Sequence, residues 1–140
     1  MNINEYPPHR EGNYAVFISS ENGCKHIGNN NAGHHIRQYK VDGEVIDKNA
    51  DTLRCDYLLL NDAEKRSYYI ELKGSDIERA IKQIETSIAL FHGALNGYKI
   101  YKRIIYHSRT TDVRGSAVQR WKAKNPEAVI KQRSFSEAIS

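Results

Sequence analysis

The stretch "RCDYLLLNDAEKRSYYIELK", residues 54–73, constrains this chain more than any other. Two runs rich in leucine, tyrosine and isoleucine flank a short polar connection, and each reads as a buried β-strand. Three charges sit inside these runs: Asp56 in the first, Glu71 and Lys73 in the second. A strand has a period of two, so Glu71 and Lys73 point to one face. The short connection forces antiparallel pairing. A turn centred between Ala63 and Glu64 sets Asp56 opposite Glu71, on the side of Lys73. Opposite side chains on neighbouring strands lie about 5 Å apart at Cβ. Two carboxylates that close repel, and one retains its proton unless a cation intervenes. Mg²⁺, or Mn²⁺ in its place, suits such a pair, because it accepts one or two carboxylates and completes its shell with a carbonyl, waters and phosphate oxygens. Lys73, one strand repeat along, is positioned to orient or help deprotonate a water that attacks a phosphodiester.

The flanking segments imply an α/β domain. "YAVFIS" (14–19) reads as a short strand, and the Asn- and Gly-rich 21–35 as a loop. "IRQYKVDGEVI" (36–46) reads as a hairpin turning at Asp42-Gly43. After the second buried strand, Ser75 is an N-cap and Glu78 completes a capping box. Ile77, Ala80, Ile81, Ile84, Ile88, Phe91 and Leu95 recur at helical spacing, and Gly93 and Gly97 mark the helix end. A strand over 98–108, a short basic helix over 115–125 and a last strand over 128–134 follow. A meander, then helix, strand, helix and strand, gives a mixed sheet flanked by helices in one domain spanning 1–140.

Asp56, the strand pair and "ELK" at 71–73, followed by an amphipathic helix, resemble the PD-(D/E)XK nuclease superfamily, which includes Holliday-junction resolvases and repair nucleases. The resemblance covers about residues 36–108. It implies the restriction-endonuclease-like fold and a metal-dependent endonuclease that hydrolyses phosphodiester bonds. In that family the aspartate and the glutamate of ExK hold Mg²⁺ and the lysine assists the attacking water, roles that fall here on Asp56, Glu71 and Lys73. Some members carry a glutamine on the next helix, where Gln83 stands. Two departures are visible. Cys55 replaces the family's proline, and no N-terminal helix supplies the upstream acid that many members add to the metal site. Glu21 is the nearest candidate for that ligand, with Glu11 and Glu44 behind it.

Charge supports a polyanionic partner. The chain of 140 residues carries a net +4, divided unevenly. Residues 1–97 hold 11 Lys/Arg against 14 Asp/Glu, and residues 98–140 hold 10 Lys/Arg against three acids. Lys99, Lys102, Arg103, Arg109, Arg114, Arg120, Lys122 and Lys124 are therefore candidates for phosphate contacts, which give salt-dependent affinity without reading sequence. Trp121 reads as core packing rather than a base-stacking platform. Nothing resembles a helix-turn-helix or zinc finger, so weak sequence or structure specificity is expected, with the protein acting alone, as a homodimer or with partners. DNA is the expected substrate. An RNA-cleaving toxin or defence nuclease remains open, as does a non-catalytic nucleic-acid-binding protein on the same fold. No membrane span or secretory leader is evident, and two isolated cysteines, Cys24 and Cys55, fit a reduced cytoplasm. No Cys/His spacing supports zinc.

Overall fold

The computed structural model describes residues 1–108 and 112–140. Arg109, one of the candidate phosphate contacts, lies outside the described residues. The chain forms a mixed α/β structure with two sheets. The larger runs in the order β1 (Arg10–Gly12), β4 (Ile36–Lys40), β5 (Tyr57–Asn61), β6 (Arg66–Lys73), β7 (Lys99–Tyr106), β8 (Val129–Gln132). Pairing is antiparallel from β1 to β6 and parallel from β6 to β8. The smaller sheet runs in the order β2 (Val16–Glu21), β3 (Cys24–Asn29), β9 (Ser134–Ala138).

Alternation along the central strands splits the core in two. Leu58, Leu60, Tyr69 and Ile104 point to one face and pack beneath α1 (Ile77–Phe91) with Ile77, Ala80, Ile84 and Phe91. Tyr57, Leu59, Ile70, Leu72 and Ile105 point to the other and pack on the small sheet through Phe17, Cys24 and Ile139. Covered on both faces, β5 and β6 tolerate the continuous apolar runs seen in sequence. Each large aliphatic side chain buried there contributes roughly 1.5–3 kcal/mol. Parallel strands need a long crossover, which α1 supplies between β6 and β7 and α2 (Ser116–Lys124) between β7 and β8.

Four local expectations are corrected. The segment 21–35 is not all loop: Cys24, His26 and Gly28 point inward while Lys25 is exposed, and the segment pairs as β3. Gly28 permits that packing, because a Cβ there would meet Ile139 Cδ1 at 2.9 Å. Asn22-Gly23 makes the turn into β3, with both residues at positive φ (52° and 74°), the conformation of a tight hairpin. The 36–46 hairpin does not form. After β4 the chain makes a single wide turn over Val41–Val45, closed by Ile46 N–H to Val41 O at 2.9 Å, with Gly43 at φ 112°. Burial of Val41, Val45 and Ile46 in the helix-side core fixes it. Asp76, not Ser75, caps α1, its carboxylate accepting the Arg79 N–H at 3.0 Å. The last expected strand ends at Gln132, and β9 then joins β3 in parallel.

Candidate active site

The two central strands pair as their composition demands. Tyr57 lies opposite Ile70, and the Asp56 N–H donates to Ile70 O at 3.0 Å, carrying the ladder one residue beyond β5. Asp56 therefore sits against Glu71, at the carboxyl end of β6 and just ahead of α1. Both are buried: Asp56 is 7% exposed and Glu71 1%. Asp56 Oδ2 accepts the Leu72 N–H at 2.8 Å. Lys73 Nζ lies 3.9 Å from Glu71 Oε2, and the Lys73 side chain is 23% exposed. Glu71 Oε1 has no hydrogen-bond partner.

Electrostatics follow from this crowding. Burial pushes the Glu71 carboxyl well above the usual range, and the neighbouring Asp56 pushes it further, against an opposing pull from Lys73. Asp56 is also raised, by burial first, with the charges of Glu21 and Asp42 adding to the effect and the Leu72 N–H opposing it. The pair is thus a buried, proton-holding, like-charge site that a divalent cation would relieve.

The structure brings some expected residues here and leaves others out. Glu21, at the end of β2, reaches Asp56 through its field, but among the described residues no set of three or more His, Cys, Asp or Glu gathers as a metal cage. Gln83 of α1 donates to Arg54 O at 3.1 Å and keeps its Oε1 buried without a partner. It lines a cavity of about 330 Å³, next to the strand end that carries Asp56, together with Asp42, Arg54 and Arg79. Asp42, read in sequence as a turn residue, adds negative charge to both acids while its Oδ1 accepts from Arg54 Nε at 3.1 Å. The Asn22-Gly23 turn also belongs to the site. Asn22 Nδ2 donates to Leu72 O at 3.0 Å, and the Cys24 thiol lies 3.6 Å from Lys73 O. The dipeptide Asn-Gly is a hairpin signal that the surrounding asparagines obscure.

Compared with family models, curated proteins and solved structures, the chain finds no match. Its site must be read from its own atoms.

The candidate nucleic-acid contacts divide. Lys99, Arg114, Arg120 and Lys124 are exposed, and Lys122 is half-buried with Nζ donating to Pro126 O at 3.0 Å. Lys102 and Arg103 turn inward instead. Lys102 Nζ meets Glu85 Oε2 at 2.5 Å and Asn125 Oδ1 at 2.8 Å. Arg103, 6% exposed, makes a two-pronged contact with Glu137 at 2.7 and 2.9 Å. Arg103 is buried and must be paired, whereas Lys102, half-buried, is held by Glu85, whose carboxylate is 42% exposed. Trp121 packs against the helix-side core and donates Nε1 to Glu85 at 3.0 Å, as expected of a core residue.

Proposed function

We propose that this protein is a Mg²⁺-dependent nuclease with a restriction-endonuclease-like core formed by β4, β5, β6, α1 and β7. The observation that carries the reading is Glu71 Oε1: a carboxylate oxygen buried without a partner, beside a second buried carboxylate, with an ammonium 3.9 Å from the other oxygen. A structural ion pair would satisfy its atoms. Here one oxygen has no N–H or hydroxyl donor, and the side chain that Glu71 meets is a second acid, Asp56.

The donor set suits a hard cation with oxygen ligands. Asp56 and Glu71 would hold it, and the limited number of carboxylates leaves positions for water and phosphate oxygens. Bound there, Mg²⁺ supplies neutralisation of the paired acids and polarisation of the phosphoryl group. Lys73, as an ammonium donor, orients the attacking water, whose proton passes to solvent. The water oxygen bonds to phosphorus, the P–O ester bond breaks, and the leaving oxygen ends protonated. Gln83 braces Arg54, which precedes the Asp56 strand. Exposed Lys99, Arg114, Arg120 and Lys124 would hold the polyanion without reading bases.

A non-catalytic nucleic-acid-binding protein is the second reading, favoured by one observation: Glu21 does not join the two acids as a third ligand. One experiment separates them. Branched, linear and single-stranded DNA and RNA are incubated with wild type and Glu71→Gln in Mg²⁺, Mn²⁺ or EDTA. The nuclease reading expects cleavage by wild type with metal only, lost in the variant. A folded wild type that binds but cuts nothing assigns the protein to the binding class, and the panel itself decides between DNA and RNA.

A further inference from the structure

Three parallel strands, β6, β7 and β8, end side by side. Lys73 is in register with Tyr106, and Tyr106 with Gln132. The residues just beyond, His107 and Arg133, extend this row of strand ends, with the His107 ring turned against Gly23 on the small-sheet side, away from the α1 side that carries Lys73 and Tyr106. Neighbouring strands lie about 4.8 Å apart, so the row spans roughly 10 Å of sheet edge. Carboxyl ends of parallel strands are where open α/β sheets receive ligands.

The row is built, not incidental. The His107 backbone N–H donates to Lys73 O at 2.9 Å and is 3.2 Å from Gly74 O, so the backbone that bears the imidazole is tied to the strand end that carries Lys73. Gly23 makes room for it, since a Cβ there would come within 2.7 Å of His107 Cδ2. That same turn carries Asn22, whose amide donates to Leu72 O. Arg133 has φ 68°, a left-handed conformation that disfavours a long side chain. Its backbone is clamped there, N–H to Tyr106 O at 2.7 Å and O to the Lys25 N–H at 2.9 Å. Lys102 and Arg103 each have an internal acid, but Arg133 has no carboxylate partner among the described residues. Its Nη1 lies 3.4 Å from His107 Nε2. Strain held beside a site motivates a functional reading. In the contact between the two side chains Arg133 donates and His107 Nε2 accepts, while His107 Nδ1 lies 3.4 Å from Ser108 Oγ. The remaining guanidinium N–H groups, without a neutralising acid among the described residues, are the donors that would seat an anion beside the imidazole.

We propose that His107 and Arg133 seat a phosphate of the nucleic-acid strand adjacent to the one at Asp56, Glu71 and Lys73, the strand crossing the carboxyl ends of β6, β7 and β8. This rests on the nuclease reading and adds the strand's path and a positioning pair. The seat is tested in EDTA, where binding is measured without cutting. Arg133→Gln and His107→Asn should each weaken a single-stranded oligonucleotide about 10-fold at low salt. The slope of log affinity against log salt should become shallower by about 0.7 in Arg133→Gln, one contact's worth, and Arg133→Lys should restore it. Arg133→Gly should melt about 2 °C higher while binding less tightly, separating the strain from the fold. In wild type, the oligonucleotide should shift the His107 imidazole resonances. Inorganic phosphate moving them while the oligonucleotide does not would overturn the strand assignment. Unchanged affinity and slope in Arg133→Gln, with metal-dependent cleavage intact, would overturn the seat and leave the nuclease standing. Cleavage absent from wild type on every substrate strikes the nuclease reading itself.

Discussion

Two glutamates on opposite sides of the large sheet, Glu71 buried and Glu137 half-buried, show how differently one side chain can be used. Glu137, on the small-sheet side, is enclosed by donors: Arg103 grips both oxygens, and His26 Nε2 lies 2.7 Å from Oε2. These partners hold its carboxyl below the usual range although burial works the other way. Glu71, on the α1 side, faces a second carboxylate and leaves one oxygen unpaired, so its carboxyl is held high. Withdrawing either carboxylate from water is costly. The first cost is met within the fold. The second is not, and the protein retains it where the strand ends open toward solvent. Compensated burial belongs to the architecture; uncompensated burial is what the proposed cation would relieve.

The sharpest break in this comparison is catalytic. Asp56→Asn or Glu71→Gln should reduce cleavage below detection in Mg²⁺ while nucleic-acid affinity in EDTA survives or tightens. Lys73→Ala should keep metal affinity and slow turnover by ~10²–10⁴-fold. Cleavage that persists without either acid would place the chemistry elsewhere in the chain. Glu137→Gln should do the reverse. It should cost about 3–5 kcal/mol of stability by stranding Arg103, read as a lower urea midpoint, with the rate per folded molecule unchanged. Because the Glu137 carboxyl is depressed, its contribution is complete above the ordinary carboxylate range and lost as pH falls through the depressed value.

The opposite sign applies to Glu71, whose carboxyl is pushed up to about 9. The folded state then binds more protons than the unfolded state, so metal-free stability should fall as pH rises from about 4.5 to 9. Glu71→Gln in EDTA should exceed wild type by ~1–3 kcal/mol at pH 8 and match it near pH 5. Saturating Mg²⁺ should favour wild type instead, since ligand binding stabilises the folded state. A wild type and variant with the same pH profile would show that the two acids are not strained. The smallest effect concerns the cations. Lys124→Ala should lower the salt slope for duplex by about 0.9, whereas Lys102→Ala, already committed to Glu85, should leave it unchanged.

Local chemistry was legible in the chain itself. Alternation and a short polar connection determined that Asp56 meets Glu71 across an antiparallel pair with Lys73 on the same face, because strand periodicity and a tight turn leave no other register. Helical spacing located α1, although its cap is Asp76 and it ends at Phe91, short of Leu95. The tertiary structure decided the rest. It recruited β3 from a segment whose asparagines and glycines mask its alternation, and paired it in parallel with β9, more than a hundred residues away. It turned Lys102 and Arg103 inward, since only the fold brings Glu85 and Glu137 to them. It set Asp42 beside the paired acids and brought His107 and Arg133 to the strand end that carries Lys73. Parallel pairings and buried ion pairs join residues distant in sequence, so no local pattern encodes which partner each will meet.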